Sequence, residues 1–157
     1  VRLLRFVLLF AALPLLACSK QMIPNSDVED TAPNRDVVIF CERYRHALED
    51  KNVAELLKLM SPAYFEDGGN TKTEDDADYD KIREFLTGDF LRTNGVRYEI
   101  RYRKVTFTEK QRIFVDYTYD AAWKIPGVKN DEWHHKVADN RLELVKDGES
   151  YKIIAGM

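Results

Sequence analysis

The sequence has little sulfur, little histidine and no long apolar run, and each shortage closes a class of explanation. Its 157 residues include only two cysteines, Cys18 and Cys41, and three histidines. His134 and His135 are adjacent, so in a strand they point to opposite faces and cannot readily hold one ion together, while His46 stands alone. No metal site and no cofactor are expected. A Gly-rich phosphate loop, zinc-ligand spacing and a nucleophile elbow are all missing. The apolar stretch Phe6 to Leu16 is 11 residues long, about half of what a membrane-spanning helix needs. Positive charge is also short, with 24 Lys plus Arg against 27 Asp plus Glu and a net charge of −3. That balance argues against nucleic acid as a partner, because phosphate binding relies on a basic surface.

What is present begins with the leader. Arg2 and Arg5 precede the apolar stretch, and Ala17 is a small residue just after it. These are the proportions of a removable signal peptide, residues 1–17. Leu15-Leu16-Ala17-Cys18 resembles the bacterial lipobox at all four positions. The resemblance implies a lipoprotein: a diacylglycerol thioether on Cys18, cleavage before it, and a palmitate-type acyl chain on the new amino terminus. One acyl chain binds a bilayer marginally, whereas two or three anchor stably. The expected address is the cell envelope, with the membrane as a partner through the lipid. Ser19, rather than Asp, after the cysteine points to the outer membrane, periplasmic side, of a Gram-negative cell. Removing Arg2 and Arg5 leaves a net charge of −5. With Cys18 consumed by lipid, Cys41 has no disulfide partner.

Residues 18–33 contain Pro24, Asn25, Ser26 and Pro33 with little apolar periodicity, and read as a flexible tether with an r.m.s. span of roughly 22 Å. From Asn34 the pattern becomes helical. Val37, Phe40, Cys41, Tyr44 and Leu48 fall on one stripe, with Asn34 as the expected N-cap. Cys41 on that stripe is expected to be a buried, inert thiol. A second helix should follow Asn52 and end at Ser61-Pro62, and a third should run from about Asp78 to Leu91. Between them, residues 66–80 hold seven carboxylates against Lys72 alone. Calcium favours such oxygen ligands, but the spacing is not that of an EF-hand, and a solvated loop whose last acids cap the third helix is the simpler reading.

The remainder alternates with period two. Val96, Tyr98, Ile100 and Tyr102 share one face, and Val105 and Phe107 need a phase shift such as a bulge. Ile113, Val115, Tyr117, Tyr119, Ala121 and Trp123 make the apolar face of the next strand. A third strand over about Glu132 to Val145 turns at Lys146-Asp147-Gly148-Glu149 into a last one. Three helices followed by an antiparallel meander define an α+β layer architecture. Arg97, Arg101, Arg103 and Lys104 form a basic stripe suited to an anionic partner or, more simply, to a solvated face.

The helix pair Val37 to Met60, the following Ser61-Pro62-Ala63-Tyr64-Phe65 and the closing hairpin from Asn140 to Ile154 resemble the NTF2-like, or SnoaL-like, α+β cone. The resemblance covers residues 34–157. It implies a cystatin-like arrangement of three helices packed on a bent antiparallel sheet around a central cavity. That fold hosts isomerases, cyclases and dehydratases as well as noncatalytic modules, so function has to come from the cavity residues. With the apolar parity inward, the expected ligand-binding set is Tyr98, Tyr102, Tyr117, Tyr119 and Trp123, together with His135 beside Trp133 and Val137. Asp116 and Asp120 then face away. Without an inward carboxylate, the acid/base pair of the family's enzymes is incomplete. The expected function is noncatalytic: binding of an apolar small molecule in the cone, or of an envelope protein or a second copy of the chain on the sheet face. An envelope enzyme acting on a hydrophobic small molecule is the alternative.

Overall fold

The computed structural model describes residues 20–68 and 73–157. The leader and Cys18 lie outside them, as do residues 69–72 of the acidic segment. Helix α1 (Ala32–Glu49) carries Val37, Phe40, Cys41, Tyr44 and Ala47 on its buried stripe. Its N-cap is Thr31, whose hydroxyl accepts from the Asn34 amide, rather than Asn34 itself. Pro33 explains the difference, since a proline without an N–H is tolerated within the first turn. The Asn34 side chain instead donates to the Glu29 carbonyl at 2.8 Å. Helix α2 (Val53–Leu59) starts at Asn52 as expected, with the Asn52 side chain accepting from the Glu55 amide.

The short strands β1 (Phe65–Glu66) and β2 (Ala77–Asp78) pair antiparallel across the acidic segment. Asp78 then caps α3 (Tyr79–Thr87) through the Lys81 amide at 2.9 Å. The third helix is shorter than its pattern suggested, because it breaks at Gly88 before the single turn α4 (Asp89–Arg92).

Four strands follow in the order β3 (Asn94–Phe107), β4 (Arg112–Ile125), β5 (Glu132–Asp147) and β6 (Ser150–Ala155), all antiparallel. The expected phase shift is real. Tyr102 pairs with Tyr117 and Lys104 with Asp116, so Arg103 is the extra residue of a bulge, and Val105 and Phe107 regain the inner face. The last hairpin closes at Asp147 and Ser150, with Gly148 supplying a positive φ of 61° that a two-residue turn requires. The core is the filling between α1 and this sheet: Val37, Cys41, Leu56, Val115, Leu142, Leu144 and Ile153 are all fully buried. The Ser61 amide donates to the Ile153 carbonyl, tying the end of α2 to β6.

One expectation about the domain boundary needs correction. Residues 20–31 are not a free tether. Met22 and Glu29 form an antiparallel bridge, Val28 is buried in the core, and the Asp27 amide donates to the Tyr102 carbonyl at 2.9 Å. The Asp27 carboxylate also holds Arg101 at 2.6 Å and Arg103 at 2.9 Å. The segment has one deeply buried apolar residue and no periodicity, which is why composition alone describes it as linker.

Candidate functional site

A cavity of about 630 Å³ lies between the bent sheet and the helices. Its walls are Tyr44 and Leu48 of α1, Ile82, Phe85 and Leu86 of α3, Phe90 of α4, Val96 and Tyr98 of β3, and Tyr119, Ala121 and Trp123 of β4. On α3 the three positions fall at i, i+3 and i+4, one face of a helix. The sheet residues follow from alternation, because Tyr119, Ala121 and Trp123 share one side of β4. Tyr98 stacks on Tyr119 with ring centroids 5.3 Å apart and planes at 14°, and Tyr44 meets Tyr98 edge-on at 6.5 Å. The cavity floor is thus a packed cluster of phenols. Beneath it, Tyr117 is buried and its hydroxyl accepts from the Asn140 side chain at 3.0 Å.

Burial is the main cause that pushes the Tyr44, Tyr98 and Tyr117 phenols above the ordinary tyrosine range. They are therefore neutral groups that can donate or accept a hydrogen bond, not bases. The backbone N–H of Tyr98 is held by Glu49 of α1 at 3.1 Å, which fixes this part of β3 against the helix where its register slips.

The expected set of binding residues divides in three. Tyr98, Tyr119 and Trp123 line the cavity, and Tyr117 supports its floor. Tyr102 lies on the same face of β3 but farther along α1, where it is buried and donates to Glu42 at 2.8 Å. It lines a separate depression with Ile23, Val38 and Arg45. His135 is on the outer face. It opposes Ala122 in the register and approaches Asp120 at 2.7 Å on the side turned away from the cone. The apolar residues Trp133 and Val137 suggested the odd parity of β5 as the inner one, yet both are exposed. Leu142 and Leu144, fully buried, set the even parity inward. Counting back from Leu142 by twos gives Asn140, Ala138, Lys136 and His134, the signal that would have found Asn140 and Lys136 in the cavity wall. His134 accordingly stacks on Trp123 at 5.6 Å.

A carboxylate does line the cavity, contributed by α4 and not by the sheet. Asp89 sits there with Arg92, to which it is paired one helical turn on. Period-two reading of the strands could not reveal it. Among the described residues no group of three or more His, Cys, Asp or Glu side chains is placed to hold a metal ion. In the acidic segment, Glu66 is not simply solvated: it accepts from Tyr64 at 2.8 Å and from the Gly156 amide at 3.1 Å, tying β1 to the chain end. No helix among the described residues is long and apolar enough to cross a membrane.

No family model matches the sequence, and no curated protein matches it. Solved structures do. A candidate dehydratase of the NTF2-like family from Streptomyces avermitilis superposes with a TM-score of 0.61 at 10% identity, over 78% of this chain and 92% of its own. A candidate scytalone dehydratase from Novosphingobium aromaticivorans gives 0.64 at 14% identity, over 79% and 80%. A candidate calcium/calmodulin-dependent protein kinase II association domain from Xanthomonas campestris gives 0.59 at 14% identity, over 87% and 90%. The chain has the NTF2-like α+β fold. At these identities the likeness is one of architecture, and the names of the neighbours span catalysis and assembly.

Proposed function

We propose that the chain is an envelope lipoprotein, anchored by lipid on Cys18, whose cone is a noncatalytic binding site for an apolar small molecule. The observation that carries the binding reading is the cavity itself. Its volume falls in the range of small-molecule sites, and its wall is largely aromatic and aliphatic with a few polar groups, the usual composition of such sites. The His–Asp pair that could serve as acid and base lies on the outer face of the sheet, away from this cavity. The anchoring reading rests on the sequence Leu15-Leu16-Ala17-Cys18. Native mass spectrometry of the protein isolated from its host, followed by solvent extraction, tests the first part: a co-purifying apolar molecule released unchanged is expected. The mass of the amino-terminal peptide tests the second, with acyl groups expected on Cys18.

A second reading is an envelope enzyme acting on a hydrophobic small molecule. Asp89 at the cavity wall favours it, and two of the structural neighbours are named as dehydratases. The pairing of Asp89 with Arg92 weakens it, because the guanidinium engages the carboxylate that a base would have to present to the substrate. A product differing from the bound molecule, formed by the wild type and not by Asp89→Asn, would decide for the enzyme.

A further inference from the structure

We infer that the ligand of the cone is an amphipathic carboxylate, an apolar body with one anionic head, and that Lys136 receives the head. The inference rests on the cone being a small-molecule site and adds the chemical class.

Three charged side chains line the cavity: Asp89, Arg92 and Lys136. Asp89 and Arg92 are paired with each other, so their charges cancel locally. Lys136 makes no ion pair among the described residues, and its ammonium instead lies 5.9 Å from the centroid of the Tyr119 ring. Glu49, whose carboxylate reaches the Tyr98 backbone, is itself engaged by Arg45 at 2.6 Å and does not serve Lys136. Of the charged side chains in the wall, Lys136 alone is left without an ion-pair partner.

Its position follows from the sheet. Lys136 opposes Ala121, the small residue between Tyr119 and Trp123, so the flexible stem crosses a gap in the aromatic wall. The Lys136 side chain is exposed at the cavity wall, so its ammonium can turn to a bound carboxylate and form a charge-assisted hydrogen bond with it. The Tyr98 phenol, which burial keeps neutral, offers no competing anion. An uncharged apolar ligand would fill the same volume but leave the Lys136 charge unanswered. A cationic one would meet it with repulsion.

The test compares decanoate with decanol, which share a chain and differ in the head. Both are titrated at neutral pH into the full chain carrying Trp133→Phe, so that the remaining tryptophan, Trp123 in the cavity wall, reports binding by its emission. Decanoate is expected to bind about 3- to 5-fold more tightly, the difference an exposed charge pair supplies. Lys136→Met should abolish the preference while leaving decanol binding within about 3-fold, and Lys136→Arg should retain it. Equal binding of the two probes by the wild-type wall overturns the inference, as does a preference that survives in Lys136→Met, while decanol binding alone keeps the cone as an apolar site. Failure of both probes to bind, with the fold intact by circular dichroism, removes the small-molecule reading and this inference with it.

Discussion

Nε2 of His135 lies 2.7 Å from Oδ1 of Asp120 on the outer face of the sheet, and both side chains are more than half exposed. Pairs of this kind contribute little to stability, because water and salt screen them. His135→Gln is therefore expected to change the unfolding free energy by no more than about 0.5 kcal/mol and to leave ligand binding in the cone unchanged. A denaturation curve and a binding titration on the same preparation check both. Loss of binding by a well-folded variant would mean that the outer face, not the cavity, is the site.

Asp27 fastens residues 20–31 to the bulged strand. Its carboxyl is held down to about 2, against an ordinary 3.8, by hydrogen bonds from Arg101 and then Arg103. A carboxylate lowered in the folded state adds stability above its ordinary value and loses it as the pH falls through the lowered one. The clasp should therefore hold at pH 4 and release progressively as the pH approaches 2. The Val28 methyl resonances, followed by NMR, should move from buried to solvated positions over that interval, and Asp27→Asn should remove the step. A midpoint at 3.8 would show that the arginines do not hold the carboxylate in solution.

Tyr117 and Trp123 separate stability from binding. Tyr117 is buried and should cost roughly 3 to 5 kcal/mol on replacement by Ala. Tyr117→Phe, which removes the hydroxyl that Asn140 and Tyr98 engage, should cost about 1 kcal/mol. Trp123 is half-buried at the cavity wall. Trp123→Ala should destabilise less than Tyr117→Ala and weaken ligand binding more. Urea unfolding and a titration of each variant decide the order, and a reversed order would place the cavity elsewhere.

Gly156 should tolerate no side chain. Its φ is +87°, and a Cβ built there would fall 1.9 Å from the Arg141 carbonyl oxygen, a backbone atom. Relief requires moving the chain end, which would disturb the hydrogen bonds from the Gly156 amide to Glu66 and from Asn140 to the Gly156 carbonyl. Gly156→Ala is expected to lose about 2 kcal/mol or more. Truncation before Gly156 should lose a comparable amount, since the same two contacts disappear. An unchanged midpoint in urea for Gly156→Ala would show that this end of the chain is not held as described.

The helices and strands were legible because their signals are local. Asn52 and Asp78 cap where capping residues stand, and the switch of parity from Tyr102 to Val105 announced the bulge at Arg103. The failures arose where a local signal was outvoted from a distance. Trp133 and Val137 are the larger apolar residues near His135, yet the buried Leu142 and Leu144 decide which face of β5 points inward. That choice of face is what brings Lys136 and Asn140 to the cavity wall. Asp89 and Arg92 reach the cavity only because Gly88 breaks the third helix, and a period-3.6 pattern does not foretell where a helix stops short. Val28 is a lone apolar residue among prolines and polar groups, and its burial depends on a surface that the later strand supplies.

The docked segment would also shorten the leash of an anchor on Cys18. Lys20 is joined to Glu29 at 2.9 Å and Met22 is bridged to the same Glu29, next to the Asp27 and Val28 that fasten the segment to the domain. Between Cys18 and Lys20 an extended chain can span no more than about 7 Å. A lipid carried on Cys18 would therefore hold the folded body against the headgroups in a narrow range of attitudes, instead of letting it swing on a long stalk. Fluorescence energy transfer from a donor on the domain to an acceptor in the bilayer would read that height directly, and releasing Asp27 from its two arginines should lengthen it.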